Sequence, residues 1–330
     1  GNDGFAYKDN YQHSSWLSMM DDFLRAVWPL AATDGVLFSS IDDNEAGRFV
    51  DLVAGHWRRA QLVTLICAQL NPRGRTLDRY LAKTHEYVAC VAVSGHGHAL
   101  REVKKSESMK AEYRFEDESG RYRLLELRNR NPIFNRQNRP NLFFPLFVDP
   151  ATRSVALEPD ERHIVEVYPL NSKGEEGCWT WSPKKVNQNV GELEARQVRN
   201  GAWRVYRKDR LERKDGSEAT TKAKALWVDP LINNERGKEV VGDMFGEAVF
   251  DFPKSPALIE RYLEVGMVER RSFLDAFAGS GTSGHAVINL NREDGGRRRF
   301  ILVEMADYFD TVLLPRLKKV TYAPEWKDGK

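Results

Sequence analysis

The 330 residues carry 50 Lys and Arg against 48 Asp and Glu, a net charge of +2, with 41% hydrophobic and 30% charged side chains. That length allows about two domains, the composition excludes a disordered or fibrous chain, and no apolar run approaches the roughly 18 residues of a membrane span. The polar first residues lack the apolar stretch of a secretory signal, and Cys67, Cys90 and Cys178 suit neither a disulfide framework nor a zinc site, so the expected compartment is the reducing cytoplasm.

Residues 14–32 place Trp16, Leu17, Met20, Phe23, Leu24, Val27 and Leu30 at helical spacing, which predicts an amphipathic helix. Asp34-Gly35 then turns the chain into a short strand at 36–41. Asp42 and Glu45 are placed as a capping-box pair for a helix running through Phe49 and Leu52 to about residue 55. Apolar runs at 62–67 and 87–93 read as strands on either side of a loop rich in Pro, Gly and Arg. The alternation of helix and strand predicts a parallel sheet with covering helices.

Between about 95 and 235 short β-like runs at 113–115, 122–127, 142–148 and 203–207 are separated by turn residues, Asp215-Gly216 among them. The expected organisation is an α/β domain in two parts, 1–94 and 236–330, interrupted by a mostly β or mixed insert at 95–235. Charge is uneven within the insert: residues 184–224 hold twelve Lys and Arg against six Asp and Glu, whereas 141–180 hold three against seven. Arg121, Arg123, Arg128, Arg130, Arg136 and Arg139 form one basic run; Lys184, Lys185, Arg204, Arg207, Lys208 and Arg210 form another, interleaved with Trp203 and Tyr206. Clustered cations with aromatics suit phosphate contact and base stacking, and a solvated charged hairpin accounts for the pattern equally well. Trp179 and Trp181, two apart, belong on one face of a strand, where core packing competes with base stacking.

The α/β pattern returns at Phe252. Ser255-Pro256 is an expected N-cap with Pro at the first helical position, and Gly266 stands where that helix should stop. A strand at 272–277, a glycine loop, a helix at 283–289, a strand at 300–304 and a last helix at about 307–319 follow. The loop, Ala278-Gly279-Ser280-Gly281-Thr282-Ser283-Gly284, matches G-x-G-x-x-G, and Glu304 ends the next strand twenty residues after Gly284. Glycines in that place let a backbone approach a nucleotide, and the acid accepts from ribose hydroxyls. His285 is expected to be packed or solvent-facing, and the seven histidines show no metal-ligand spacing, so no metal is expected. A dinucleotide enzyme needs the second half of its sheet after the loop, where only twenty-six residues remain beyond Glu304. The missing strands must come from upstream, which makes this a permuted Rossmann-like order.

With these motifs in view, Phe273-Leu274-Asp275-Ala276-Phe277-Ala278-Gly279-Ser280-Gly281-Thr282 resembles the S-adenosylmethionine motif of DNA amino-methyltransferases. Phe252-Pro253-Lys254-Ser255-Pro256 resembles the stretch that precedes it in the permuted β group, with Lys-Ser-Pro in place of Lys-Pro. Asp34 through Glu45 and Lys83-Thr84-His85-Glu86-Tyr87 are similar again, and the whole is most similar to the adenine-specific Mod subunits of type III restriction-modification systems. The resemblance implies a methyltransferase fold, S-adenosyl-L-methionine as cofactor, and a target-recognition insert that binds double-stranded DNA. It also implies a restriction subunit with nuclease and helicase activity as partner, a homodimer, and no membrane association. Cofactor-binding residues are then Lys254, Asp275, Phe277, Gly279, Ser280, Gly281, Thr282 and Glu304. Asp275 either bonds the cofactor amino group or caps the loop, and Phe277 either neighbours the cofactor or packs in the core. Lys254 either faces the cofactor carboxylate or is a surface lysine.

Such enzymes carry Asp-Pro-Pro-Tyr, which accepts the adenine amine's hydrogen bonds and stacks on the flipped base. This sequence has none: Asp149-Pro150 continues with Ala151 and Asp229-Pro230 with Leu231. In the family the motif precedes a segment like Gly1-Asn2-Asp3-Gly4-Phe5, so the chain is expected to be a fragment, inactive alone, with no catalytic residue of its own. Two other readings remain open at this point, a non-catalytic DNA-recognition and assembly module and a nicotinamide-dependent oxidoreductase.

Overall fold

A computed structural model describes residues 13–56, 61–74, 79–93, 100–213, 215–266 and 271–330. The chain divides into two compact units, Gly1–Val103 with Lys222–Lys330, and Lys104–Thr221. The second unit therefore begins and ends inside the 95–235 span read from the sequence. The segment around Gly1 to Phe5, together with His96 and His98, lies outside the described residues.

In the first unit the helix His13–Val27 buries Met20 and Leu24, one turn apart, against Phe49, Leu52 and Val53 of the helix Ala46–His56. Asp42 starts that second helix as expected, its Oδ1 accepting from the amides of Asn44 (3.0 Å) and Glu45 (3.3 Å). Glu45 does not close the box; its carboxylate meets His13 Nδ1 at 2.5 Å instead.

Both helices cover one face of a four-stranded sheet ordered Val36–Ile41, Glu86–Ala92, Gln61–Ala68, Leu226–Trp227. The strand Glu86–Ala92 is apolar from Val88 onward because both its faces are covered there. Ala89 and Val91 point to the helix pair, while Val88 and Cys90 join the core formed with Leu258, Tyr262 and Leu263 of the helix Pro256–Gly266. Its pairings to both neighbours are antiparallel, and only Leu226–Trp227 runs parallel to its partner. The expectation of a parallel sheet with covering helices is corrected for these strands. Apolar periodicity fixes which face a residue takes and leaves strand direction to the connections.

The expected parallel arrangement is found in a second sheet, where Ser272–Asp275 pairs in register with Arg299–Leu302 and the helix Thr282–Asp294 connects them. Residues 36–38 and 272–274 both line a largely apolar cavity of about 350 Å³, and among the described residues no strand joins these two sheets. The helix Pro256–Gly266 starts and stops as expected, with Ser255 in the N-cap position: its carbonyl accepts from the Leu258 amide at 3.1 Å, while its hydroxyl donates to the Leu231 carbonyl at 2.6 Å. The last helical segment begins as a π-turn at Phe309–Leu313 and continues as Leu314–Tyr322.

The second unit is mostly β. Its main sheet, ordered Leu193–Gln197, Trp203–Arg210, Gly120–Glu126, Phe115–Asp117, is antiparallel throughout, and a three-stranded sheet forms around Leu146–Val148. Leu127, Leu146, Val148, Ala195 and Val205 close its core around Trp179, whose indole N–H donates to the Phe144 carbonyl at 2.8 Å. Trp181 packs against the same cluster, so the tryptophan pair serves the core.

Candidate functional site

The glycine loop sits between the strand Ser272–Asp275 and the helix Thr282–Asp294. Gly279 and Gly281 take φ values of +52° and +80°, a region that strains any residue with a Cβ. A Cβ on Gly281 would also lie 3.0 Å from the Leu313 side chain. Gly284 is needed for another reason, since its Cβ would meet Leu317 at 2.6 Å and its absence lets the final helix approach.

Two carboxylates shape the loop. Asp275 accepts from the Phe277 amide through Oδ1 (3.0 Å) and from the Ser283 hydroxyl through Oδ2 (2.5 Å). Glu304 accepts from the Gly279 amide through Oε2 (2.9 Å) and from the amides of Met305 (2.9 Å) and Ala306 (3.0 Å) through Oε1. An anion at each strand end thus organises the backbone donors that a glycine loop otherwise leaves unsatisfied.

A cavity of about 370 Å³ opens in front of this loop. Of the eight residues expected to hold a cofactor, Lys254, Asp275, Phe277, Gly279, Ser280 and Thr282 line it, while Gly281 and Glu304 do not, although Glu304 holds the amide of Gly279, which does. The Lys254 ammonium pairs with Glu86 at 2.7 Å, and its carbonyl accepts from the Thr282 hydroxyl at 3.2 Å. Gly237 makes room for this segment, because a Cβ there would fall 2.1 Å from the Pro253 carbonyl. Phe277 is exposed, with its ring 5.1 Å from that of Phe23.

Sequence reasoning missed the aromatic lining. Phe38 stacks on Tyr262 with ring centroids 5.0 Å apart, and the Tyr262 hydroxyl exchanges a hydrogen bond with Ser40 at 2.8 Å. Burial pushes the Tyr262 phenol pKa well up, so it stays neutral. Phe250 and Phe252 add to an aromatic lining that the cavity shares with the polar groups of Lys254, Asp275, Ser280, Thr282 and Ser283, the composition of a small-molecule site.

Sequence reasoning also missed Arg316, which lies behind the loop with no exposed surface. It contacts Ser280, Thr282 and His285. Its signal was present: Leu313, Arg316, Leu317 and Val320 form one helical stripe, and a cation in an apolar stripe is not a surface residue. His285 is buried beside it.

Most cations singled out in the insert are ion-paired within it. Arg121 pairs with Glu212, Arg123 with Asp209 and Glu112, Arg136 with Glu176, and Lys208 with Asp117. Arg128, Arg130 and Arg204 converge on Glu126, while Arg210 is held between Asp117 and Glu192. Arg139 lies over the Phe134 ring and Lys185 over Trp181, at 5.4 and 5.0 Å. Among the described residues, Arg139, Lys184, Lys185 and Arg207 form no ion pair. The structure thus brings Lys254 and the glycine-loop residues together at one cavity, whereas the basic runs divide into cations paired within the fold and a smaller set without an ion pair. No group of His, Cys, Asp and Glu able to hold a metal occurs among the described residues, and none of their helices is long and apolar enough to cross a membrane.

The DNA methylase family model N6_N4_Mtase matches residues 1–312. The type III restriction-modification enzyme EcoPI Mod subunit of Escherichia phage P1 is 30% identical over 308 residues, covering 91% of this chain and 47% of that protein. The type II methyltransferase M.KpnI of Klebsiella pneumoniae is 31% identical over 293 residues, covering 88% of this chain and 67% of that protein. A crystal structure of an M1.HpyAVI-SAM complex is similar at a TM-score of 0.41 with 12% identity, covering 90% of this chain and 82% of that one. The chain spans about half the length of the phage Mod subunit it matches.

Proposed function

The chain belongs to the DNA methylase family, and on that premise we propose that it is the cofactor-binding and DNA-recognition portion of an adenine-N6 methyltransferase in a restriction-modification system. The glycine loop carries this reading. Two positive-φ glycines leave no side chain where the protein backbone must approach a ligand, and the loop opens onto a cavity with polar and aromatic lining. That cradle fits S-adenosylmethionine, which has an amino-acid end and a nucleoside end. When bound, the cofactor supplies a methyl group on a cationic sulfur.

Phe277, Gly279, Ser280, Gly281 and Thr282 would hold the amino-acid end, with Lys254 beside its carboxylate and Asp275 accepting from its amine. Glu304 would accept from the ribose hydroxyls, exchanging for this the bond it now takes from Gly279. The apolar wall of Phe38, Phe252 and Tyr262 would exclude water from the methyl group. In the insert, Arg139, Lys184, Lys185 and Arg207 would meet phosphates of double-stranded DNA, together with the exposed Arg130 and Arg136, whose carboxylate partners compete with phosphate. A homodimer, a restriction subunit as partner and a cytoplasmic location complete the proposal.

The sequence lacks the Asp-Pro-Pro-Tyr tetrapeptide, which favours a second reading of this chain by itself, a module that binds cofactor and DNA without transferring the methyl group. Labelled S-adenosylmethionine and duplex DNA test both. The whole protein is expected to yield N6-methyladenine, and the 330-residue chain to bind the cofactor in calorimetry, in preference to NAD, without labelling DNA. A whole protein that methylates only protein or a small molecule would overturn the first reading, and methyl transfer to DNA by the chain alone would overturn the second.

A further inference from the structure

Arg316 is the one charged side chain among the described residues with no exposed surface at all, and it has no carboxylate partner there. Such a charge is costly to bury, and an apolar residue would fill the same space at less cost. Its acceptors show where it acts. Nη1 donates to Ser280 Oγ at 2.8 Å, to Thr282 Oγ1 at 2.9 Å and to the Ser280 carbonyl at 3.4 Å. Nε and Nη2 both reach His285 Nδ1 at 3.3 Å. Every one of these acceptors belongs to the glycine loop or to the first turn of the helix after it.

His285 is a neutral partner by necessity. Burial, then the charges of Arg316 and Arg292, pull its pKa down to about 3. A guanidinium only donates, so Nδ1 must be the acceptor and the ring proton sits on Nε2. Burial also pulls the Arg316 pKa down, to about 9, which leaves it cationic at neutral pH. The positive charge is therefore met only by hydroxyls, a carbonyl and an imidazole, none of which neutralises it. It lies directly behind Ser280 and Thr282, which line the cavity, and at the amino end of a 13-residue helix whose dipole has the same sign. Close packing of the final helix on Gly281 and Gly284 fixes it there.

We propose that Arg316 is a positioning residue for the glycine loop and that its unneutralised charge makes the loop select a ligand bearing a carboxylate. This rests on the cofactor reading above and deepens it, by assigning the selectivity for the amino-acid end to a side chain that does not line the cavity.

The test compares two ligands by calorimetry: S-adenosylhomocysteine, which carries the carboxylate, and 5′-methylthioadenosine, which does not. The unmodified chain is expected to prefer the first. Arg316→Met should lower affinity for S-adenosylhomocysteine by about tenfold or more, the equivalent of one lost charge interaction, and change that for 5′-methylthioadenosine by less than about threefold. Arg316→Lys keeps the charge and loses the fork, so both affinities should fall while their ratio stays within about threefold. Should Arg316→Met fail to fold in circular dichroism, the ratio in Arg316→Lys decides. Equal losses for both ligands in Arg316→Met, no loss for either, or a collapsed ratio in Arg316→Lys would overturn the proposal while leaving the cofactor reading intact. An unmodified chain that binds neither ligand would overturn that reading, and the proposal with it.

Discussion

In the inserted unit, most arginines of the two basic runs are answered by carboxylates. Arg210, the clearest case, places three nitrogens on Asp117 and Glu192 and lies over the Tyr122 ring. In the unit that holds the glycine loop, the most buried arginine is answered by two hydroxyls, a carbonyl and a neutral histidine. The first arrangement neutralises charge and uses it to brace a sheet. The second leaves charge in place beside a ligand cavity. Arginine content alone therefore says little about what an arginine does; the partner set decides.

The largest expected effect tests the neutral side of this contrast. His285 has a folded pKa of about 3 against an ordinary value of 6.5. Between these values the unfolded chain binds a proton that the folded chain refuses, so stability is lost as pH falls through that window. At about 1.4 kcal/mol per unit, the loss reaches roughly 3 kcal/mol near pH 4.5. Urea unfolding from pH 8 down to about 4.5 should show it as a steeper decline in the unmodified chain than in His285→Gln, which keeps a neutral acceptor. Parallel curves would mean that the imidazole is not held neutral by Arg316 and its burial.

Asp117→Asn probes the paired side. Hydrogen bonds from Arg210 and Lys208 hold the Asp117 carboxyl well below the usual carboxylate range. A depressed acid contributes stability that is present above its unfolded pKa and lost as pH falls through the folded one. Because the group is partly exposed, with 28% of its side-chain surface accessible, the expected cost at neutral pH is about 2 kcal/mol, read as a lower urea midpoint. Gly281→Ala comes next, at about 1–2 kcal/mol, from the φ of +80° and the Leu313 contact. The same substitution should weaken cofactor binding in calorimetry by about tenfold, because the strain is relieved only by moving the loop. Unchanged affinity would show that the loop conformation is not what the ligand reads.

How far the sequence carries this contrast follows from the range of each interaction. The glycine loop is legible because all its requirements are local: an apolar strand at Phe273, glycines where φ is positive, and an acid at the next strand end. The antiparallel pairing of the first sheet is not, since the residues from Val88 to Ala92 would be equally apolar in either direction. The arginine partners are not legible either. Asp117 and Arg210 are 93 positions apart, and Arg316 is 36 from Ser280. Runs of cations can be counted in a sequence, but apart from Glu126 beside Arg128 and Arg130 most carboxylates that neutralise them arrive from distant segments. Arg316 is the exception in principle, because its place in an apolar helical stripe is itself a local signal.

The smallest effect on the fold is expected where no carboxylate answers a cation, and there the comparison becomes a rule for finding the DNA contacts. Lys184 and Lys185 are exposed on the short helix Pro183–Gln188, neither in an ion pair. Replacing each with Ala should leave stability within about 0.5 kcal/mol. If they meet phosphates, each loss should lower duplex affinity a few-fold and reduce the slope of log affinity against log salt by about 1. Arg210→Ala should do the reverse, destabilising the insert with little change in that salt slope. Salt titrations of the three variants by fluorescence anisotropy separate the outcomes. A slope that drops for Arg210 and holds for the two lysines would mean that DNA exchanges places with the internal carboxylates, and that the paired cations, not the open ones, are the phosphate contacts.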